Sequence, residues 1–427
     1  MTKKKSINFR LGIPALKSRN YQLFFAGQGI SLIGTWMTQV ATIWLVYQLT
    51  NSALLLGVVG FIGQIPSLFL SPFGGVLVDR WNTRKILVTT QVLAMIQSLA
   101  LAVLALTGTI SIGHIIFLSL FQGVINALDA AARQTFVPEM IERKADLASA
   151  IALNSSLVNG GRLVGPAIAG VIIARVGASY CFLIDGLSYI AVIAALLAMR
   201  LKSKPKTIPT GSAIERVKAG FVYAFGFPPI RAILQLLALF SLVAMPYVTL
   251  LPIFATKILK GDAHTLGFIM AASGIGALFG GAYLSTRKSV VGLGNVIALA
   301  PAVSGVGIVA FGVSRTLWFS LLMCFVIGLG SILLISSSNI LIQTLVEDDK
   351  RGRVMSIFTM SFLGIVPFGN LLTGISADRI GATNTLVVGG ALSIAATIIF
   401  SQQLPTLRRI VRPVYQKIGI LPSVNTH

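Results

Sequence analysis

The sequence has little charge and few of the residues from which catalytic and metal sites are built. Of its 427 residues only 11% are charged and 55% are hydrophobic, whereas soluble domains usually carry about a quarter charged residues. The two cysteines lie far apart in apolar runs, so we expect no disulfide framework, no metal site and no cofactor. No phosphate-binding loop of the G-x-x-x-x-G-K-[ST] type occurs, and only three histidines are present. These absences favour a membrane protein that is neither an enzyme nor an ATP-driven pump.

The charge that is present is mostly positive, with 34 Lys and Arg against 12 Asp and Glu. These basic residues are spread between apolar runs instead of clustering on one soluble face, which argues against a nucleic-acid partner. Most of them fall in every second loop, at 3–19, 80–85, 143–144, 200–217, 287–288, 350–353 and 408–417, whereas the intervening loops carry only Arg175, Lys257, Lys260, Arg315 and Arg379. Because Lys and Arg are retained on the cytoplasmic side during insertion, we predict a multi-pass protein of the inner (cytoplasmic) membrane with both termini in the cytoplasm.

Apolar runs long enough to cross a bilayer occur twelve times, which predicts an all-α polytopic fold. They lie near 20–49, 54–78, 86–106, 112–132, 148–174, 178–199, 232–256, 265–286, 291–313, 317–345, 354–378 and 383–402. We therefore expect a basic N-terminus at 1–19, a six-helix bundle at 20–199, a linker at 200–231, a second bundle at 232–402 and a basic tail at 403–427. The linker contains an amphipathic segment that either lies at the membrane interface or docks a cytosolic partner.

An internal repeat supports two pseudo-symmetric halves. The segment GPAIAGVIIARVGA at 165–178 aligns with GNLLTGISADRIGA at 369–382, with two glycines and the closing Arg, Gly and Ala in register. Both segments lie at the end of the fifth span of their half. Parallel repeats of this kind are found in several transporter folds.

The loop after the second span resembles the G-x-x-x-D-R-x-G-R-[RK] loop of the major facilitator superfamily. The matching residues are Gly75, Asp79, Arg80, Arg84 and Lys85. An asparagine replaces the usual second glycine, and a threonine replaces the basic residue that follows it. The resemblance implies a gating loop, in which the aspartate caps a helix and the arginines bridge the two halves. The alternative is a basic loop that only fixes topology.

The fifth span resembles the exporter motif of the same superfamily through Gly161, Gly165, Pro166 and Gly170. Its small residues would let another helix approach closely, and the proline would bend the span. We expect the eighth span to offer a matching stripe, made of Ala272, Gly276 and Gly280.

The stretch at 129–170 is similar to the enterobactin-exporter branch, which includes macrolide-efflux relatives. This resemblance implies the export of siderophores or lipophilic compounds. We expect a secondary transporter that exports a siderophore-like or lipophilic drug-like molecule by alternating access, as a monomer without a cofactor. An importer of the same fold and a non-transporting membrane sensor remain as alternatives.

Polar residues recur at helical spacing in three spans of the first half, which predicts a water-filled cavity. They are Gln28, Ser31, Thr35, Gln39 and Thr42 in the first span, Ser119, Gln122, Asn126, Asp129 and Arg133 in the fourth, and Ser155, Asn159 and Arg162 in the fifth. The alternative is hydrogen bonding between helices. We assign the substrate pathway to Gln28, Thr35, Gln39, Gln122, Asn126, Asn159 and Arg162.

Three charged residues inside spans are candidates for special roles, since charge within a bilayer is costly. Arg162 either contacts an anionic substrate group or bonds to backbone carbonyls or Asp185. Asp129 and Asp185 are candidates for proton coupling by antiport. The alternative to proton coupling is an ion pair with Arg133 for Asp129. For Asp185 the alternative is local hydrogen bonding.

Overall fold

The computed structural model describes residues 14–141, 143, 146–200, 213–287, 289–417 and 420, without the side chains of 71–80, 148, 213–219, 348, 349 and 417. Fifteen α-helices account for most of this part of the chain. They are α1 Arg19–Thr50, α2 Ala53–Arg80, α3 Thr83–Leu106, α4 Ile112–Phe136, α5 Leu147–Val176, α6 Ala178–Ala198, α7 Ala213–Gly226, α8 Pro228–Val243, α9 Tyr247–Ile253, α10 Ala263–Thr286, α11 Leu293–Val313, α12 Leu317–Leu345, α13 Asp348–Phe362, α14 Val366–Ile380 and α15 Ala382–Lys417.

Twelve helical segments in the described residues are long and apolar enough to cross a membrane, which confirms the predicted all-α fold. Two spans are broken: the seventh consists of α8, α9 and a π-helical turn at Phe254–Ile258, and the eleventh consists of α13 and α14. Proline lies at both breaks, Pro246 before α9 and Pro367 in the first turn of α14. Since proline has no N–H to donate, it ends or bends a helix there.

The same helix pairs pack together in the two halves. In the first half, span 1 packs on spans 5 and 6, span 3 on spans 4 and 6, and span 2 on span 4. In the second half, span 7 packs on spans 11 and 12, span 9 on spans 10 and 12, and span 8 on span 10. Adding six to each span number of the first set yields the second set. The sequence repeat therefore reflects a structural repeat, and Gly177 and Gly381, which occupy equivalent places in it, both have a positive φ, of 98° and 84°.

We call the end of the bundle at which α1 begins the basic end, and the opposite end the far end. The two halves meet mainly through α5 with α10 and through α2 with α14. These contacts include two equivalent glycine pairs near the far end, Gly170 with Gly267 and Gly374 with Gly57. A β-carbon added to Gly170 would lie 2.8 Å from the carbonyl oxygen of Ala263, and one added to Gly374 would lie 2.9 Å from that of Ala53. The halves are thus closed against each other at the far end by backbone-to-backbone contact.

The linker helix α7 lies against the second half. A β-carbon on Gly220 would lie 2.9 Å from the carbonyl oxygen of Arg353 in α13, and the Lys350 ammonium lies 4.9 Å from the centre of the Tyr223 ring. The helix is therefore packed against α13 through its final two turns.

Candidate functional site

A cavity of about 660 Å³ lies in the first half, between α1, α3, α4 and α5. Val137, Pro138 and Leu147, at the connection between α4 and α5, form part of its wall, so it reaches the basic end. Its polar lining comes from four spans: Gln28, Ser31 and Thr35, Gln91, Gln122, Asn126, Asp129, Arg133 and Gln134, and Asn154 and Ser155. The volume is in the range of small-molecule sites.

Side-chain amides dominate this polar lining. Gln122 donates a hydrogen bond of 2.9 Å to the side-chain oxygen of Asn126. The side-chain oxygens of Gln28, Gln91 and Gln122 are buried and have no hydrogen-bond partner in the described part of the chain. The amide-rich lining can both donate and accept hydrogen bonds, so the cavity suits a molecule with polar groups of both kinds.

Asp129 and Arg133 form an ion pair in the cavity wall. The guanidinium donates from Nε at 3.0 Å and from Nη2 at 2.5 Å to one oxygen of Asp129. The other oxygen accepts hydrogen bonds from Thr90 at 3.0 Å and Gln91 at 2.8 Å. The structure therefore shows the ion pair that the spacing of four predicted, and it leaves the cavity with little net charge.

Asp185 lies one helical turn before Tyr189, a residue of the cavity wall, and has a different environment. It is 2% exposed, and its Oδ2 accepts hydrogen bonds from Thr38 at 2.9 Å and Ser98 at 3.1 Å. Its Oδ1 has no hydrogen-bond partner, and no basic side chain of the described residues forms an ion pair with it. Arg162 instead lies 5.9 Å from the centre of the Trp36 ring.

The structure brings together four of the seven residues assigned to the substrate pathway, namely Gln28, Thr35, Gln122 and Asn126. Gln39, Asn159 and Arg162 lie on the same helices beyond the cavity. Asn159 donates 2.9 Å to the carbonyl oxygen of Ser155.

The three polar stripes did not include three polar members of the wall. Gln91 in α3, Gln134 in α4 and Asn154 in α5 all line the cavity. Gln91 was detectable as a polar residue inside an otherwise apolar run, but it belongs to no polar stripe.

The exporter-type glycines of α5 serve two different contacts. Gly161 and Gly165 face α1, where a β-carbon on Gly165 would lie 2.5 Å from the β-carbon of Trp36. Gly170 faces Gly267 of α10 in the other half. Pro166 is buried inside the helix, and its carbonyl oxygen would lie 2.7 Å from a β-carbon on Gly267.

The matching stripe expected in the eighth span is wrong. Gly276 and Gly280 of α10 face Phe325, Leu329 and Ile332 of α12. The contact with α5 uses Gly267 and Gly274 instead. Each residue of an α-helix is rotated by about 100° from the one before it, so positions 274 and 276 point to nearly opposite sides. The glycines of α10 therefore pack against two neighbouring helices, α5 and α12.

The side chains of Asp79 and Arg80 and the surroundings of Gly75, three members of the predicted gating loop, lie outside what the structure describes. Arg84 donates a hydrogen bond of 2.6 Å to the carbonyl oxygen of Leu197, at the end of α6 in the same half. The backbone N–H of Lys85 bonds at 3.2 Å to the side chain of Asn82, which caps the start of α3. In this conformation Arg84 therefore ties two spans of one half together, whereas the resemblance implied a bridge between halves.

Twelve spans in two equivalent six-helix halves are the architecture of the major facilitator superfamily, and solved structures share this fold. A bacterial homologue of the human lysosomal transporter Spinster, in an inward-facing and unoccupied conformation, superposes with a TM-score of 0.72 at 11% identity, over 92% of this chain and 98% of that one. A POT family transporter in complex with 5-aminolevulinic acid superposes with a TM-score of 0.71 at 12% identity, over 91% of this chain and 97% of that one. These likenesses show the fold of the chain.

Within this superfamily the chain belongs to the transmembrane secretion effector family, whose profile matches residues 13–412. The chain is 29% identical to the staphyloferrin A transporter of Staphylococcus aureus, over 88% of this chain and 94% of the relative. It is 27% identical to the multidrug efflux pump Tap of Mycolicibacterium fortuitum, over 88% of this chain and 93% of that relative. It is 24% identical to macrolide efflux protein A of Streptococcus pyogenes, over 90% and 96%. These relatives identify the chain as a membrane transporter for small molecules.

Proposed function

We propose that this protein exports a small organic molecule by alternating access, with the cavity of the first half as the place where the substrate is loaded. The observation that carries the proposal is the combination of a cavity reaching the basic end with glycine-pair closure at the far end. The basic loops assign the basic end to the cytoplasm. A substrate would therefore enter from the cytoplasm of a cell whose inner membrane holds the protein, with both termini on that side.

The substrate class follows from the cavity wall. Side-chain amides in this wall, among them those of Gln28, Gln122 and Asn154, can donate and accept hydrogen bonds and so favour a molecule rich in hydroxyl, amide or amine groups. The Asp129–Arg133 pair is internally neutralised, so it does not select strongly for one sign of charge. A siderophore-like or drug-like compound fits this description, and the names of the relatives are compatible with it.

Protons are the proposed driving ions, and Asp185 is the proposed carrier. Among the described residues its buried side chain has no ion-pair partner, in contrast to that of Asp129, and its Oδ1 has no hydrogen-bond partner and could take up a proton. One proton moving down about 100 mV releases about 2.3 kcal/mol, enough for a substrate gradient of about fifty-fold. The two six-helix halves would rock as units within a monomer.

The test uses inverted membrane vesicles that are energised by respiration and challenged with a panel of siderophores, macrolides and dyes. We expect one or more of these compounds to accumulate inside and to be lost when a protonophore is added. Removal of ATP with respiration intact should change little. Accumulation that survives the protonophore would refute proton coupling, and accumulation only in right-side-out vesicles would make the protein an importer. If purified protein in liposomes moves none of the panel, the transport proposal fails for these substrate classes.

A further inference from the structure

The second half contains a separate cavity of about 390 Å³ at the basic end. It lies between the starts of α8 and α11 and the ends of α12 and α15. Its apolar wall is formed by Ile233, Leu341, Phe400, Leu404, Leu407 and Val411. The residues from α15 recur every three or four positions, so one face of that helix forms a side of the cavity.

The equivalent place in the first half is filled. The corresponding ends of spans 1, 3, 4 and 6 meet there in one buried cluster that includes Tyr21, Ile86, Phe136 and Leu196. Since the two halves pack the same helix pairs, this architecture does not require a cavity at that position. The opening is a particular property of the second half.

Arginines stand at the rim of this cavity. Arg408 and Arg412 of α15, one turn apart, both line it, and Arg408 donates a hydrogen bond to the side-chain oxygen of Asn295 on the opposite wall. Arg287 donates a hydrogen bond of 2.8 Å to the carbonyl oxygen of Val291, which is another residue of the cavity wall. No carboxylate forms an ion pair with any of these arginines in the part of the chain that the structure describes. The result is an apolar pocket with a cationic rim and no acidic counterpart.

We propose that this cavity binds one anionic phospholipid, with an acyl chain against the apolar face of α15 and the phosphate on Arg408 and Arg412. The cavity lies at the end of the spans, which is the depth at which phospholipid headgroups lie. Basic pockets between membrane helices are known to hold anionic headgroups. A free phosphate would satisfy the arginines but would leave the apolar wall exposed to water, so the amphiphile matches more of the site.

The proposal is tested with the full-length protein in detergent, after exposure to mixed vesicles of phosphatidylcholine and phosphatidylglycerol. Native mass spectrometry then counts the lipids that stay bound. The wild type should retain phosphatidylglycerol over phosphatidylcholine. The double variant Arg408→Gln, Arg412→Gln should weaken this retention about twenty-five-fold, about fivefold for each arginine, since a basic residue near an anionic surface contributes about 1 kcal/mol. Both side chains are exposed, so this variant should fold.

Arg409→Gln is the matched control, because it removes the same charge from the same helix at an exposed position that does not line the cavity. It should retain lipid like the wild type. Gly294→Leu, whose β-carbon would lie 3.3 Å from Leu404 Cδ1, should fill the cavity and lose the lipid with all arginines present. Leu404→Phe is a milder filling variant if that one does not fold.

Several results would overturn the proposal. An equal loss in Arg409→Gln would show that interfacial charge alone holds the lipid. Full retention in a folded filling variant would place the lipid elsewhere. If the wild type retains phosphatidylglycerol and phosphatidylcholine equally, the cavity does not select an anionic lipid and the proposal is wrong. Displacement of the lipid by millimolar glycerol phosphate, with that anion bound in its place, would assign the site to a free solute.

Discussion

Two carboxylates within the spans, Asp129 and Asp185, differ in what their oxygens contact. Both oxygens of Asp129 accept hydrogen bonds, from Arg133, Thr90 and Gln91, whereas one oxygen of Asp185 has no hydrogen-bond partner among the described residues. Burial opposes a carboxylate charge unless hydrogen bonds or an opposite charge compensate it. We therefore propose a structural role for Asp129 and a proton-carrying role for Asp185, both of which the sequence offered as candidates for proton coupling.

We expect Asp185→Asn to uncouple transport from the proton gradient while preserving the fold. The amide oxygen of asparagine can still accept from Thr38 and Ser98, but it no longer takes up a proton. In proteoliposomes, uphill accumulation should be lost while exchange of labelled for unlabelled substrate continues. Ser98→Ala, which removes one of these bonds and keeps the carboxylate, should remain coupled. Uphill accumulation by Asp185→Asn would exclude Asp185 as the carrier.

Asp129→Asn should instead lower stability. The change leaves the Arg133 guanidinium without its charged partner in a partly buried wall, and hydrogen bonds to charged groups contribute about 1.5–3 kcal/mol. We expect a lower melting temperature of the purified protein. In the double variant Asp129→Asn, Arg133→Gln, the decrease in melting temperature should be smaller than the sum of the decreases in the two single variants, because the two side chains stabilise the protein as a pair. Additive losses would show that the pair does not contribute as a unit.

At the scale of helices, the exporter-type span α5 is held to α1 by glycines that admit no side chain. A β-carbon on Gly165 would already lie 2.5 Å from that of Trp36, so Gly165→Leu should force the two helices apart. We expect impaired folding and loss of transport. Gly160→Leu is the control on the same helix, since a β-carbon there meets nothing within 4 Å. A stable and fully active Gly165→Leu protein would contradict the close packing of α5 on α1.

At the scale of the whole molecule, the two glycine pairs should control the far end in the same way. We expect Gly170→Val and Gly57→Val each to push the halves apart there, because each added side chain would clash with backbone of the other half. A cysteine at Gln39 should then react faster with a membrane-impermeant maleimide added from the far side. The increase should be about tenfold if the clash shifts the equilibrium by about 1.4 kcal/mol.

The background in this measurement is low, because the native Cys181 and Cys324 are fully buried. Gly160→Val, with open space around it, should leave the labelling rate unchanged. An unchanged rate in both Gly170→Val and Gly57→Val would mean that these pairs do not close the far end.

The sequence predicted the twelve spans and the repeat well, because a bilayer requires long apolar runs and a duplicated bundle repeats its small residues. It predicted the faces of α1 and α4 that meet the cavity, but not how far along each helix the cavity extends. Helical spacing identifies a face and contains no information about depth, so Gln39, Asn159 and Arg162 were grouped with residues that the structure separates from them. The contacts of α10 were missed for a related reason, since its glycines lie on more than one face.

The glycine pairs also bear on how much free energy is needed to separate the two halves at the far end. Backbone contacts between helices contribute only about 0.5–1 kcal/mol each, and these two pairs involve no charged side chain whose separation would need compensation. Moving a two-state population from 1:99 to 99:1 takes about 5.5 kcal/mol. Because these two backbone contacts contribute only a small share of this difference, the proposed binding of a substrate and one proton would not have to break a strong bond at either pair to change which state the population occupies.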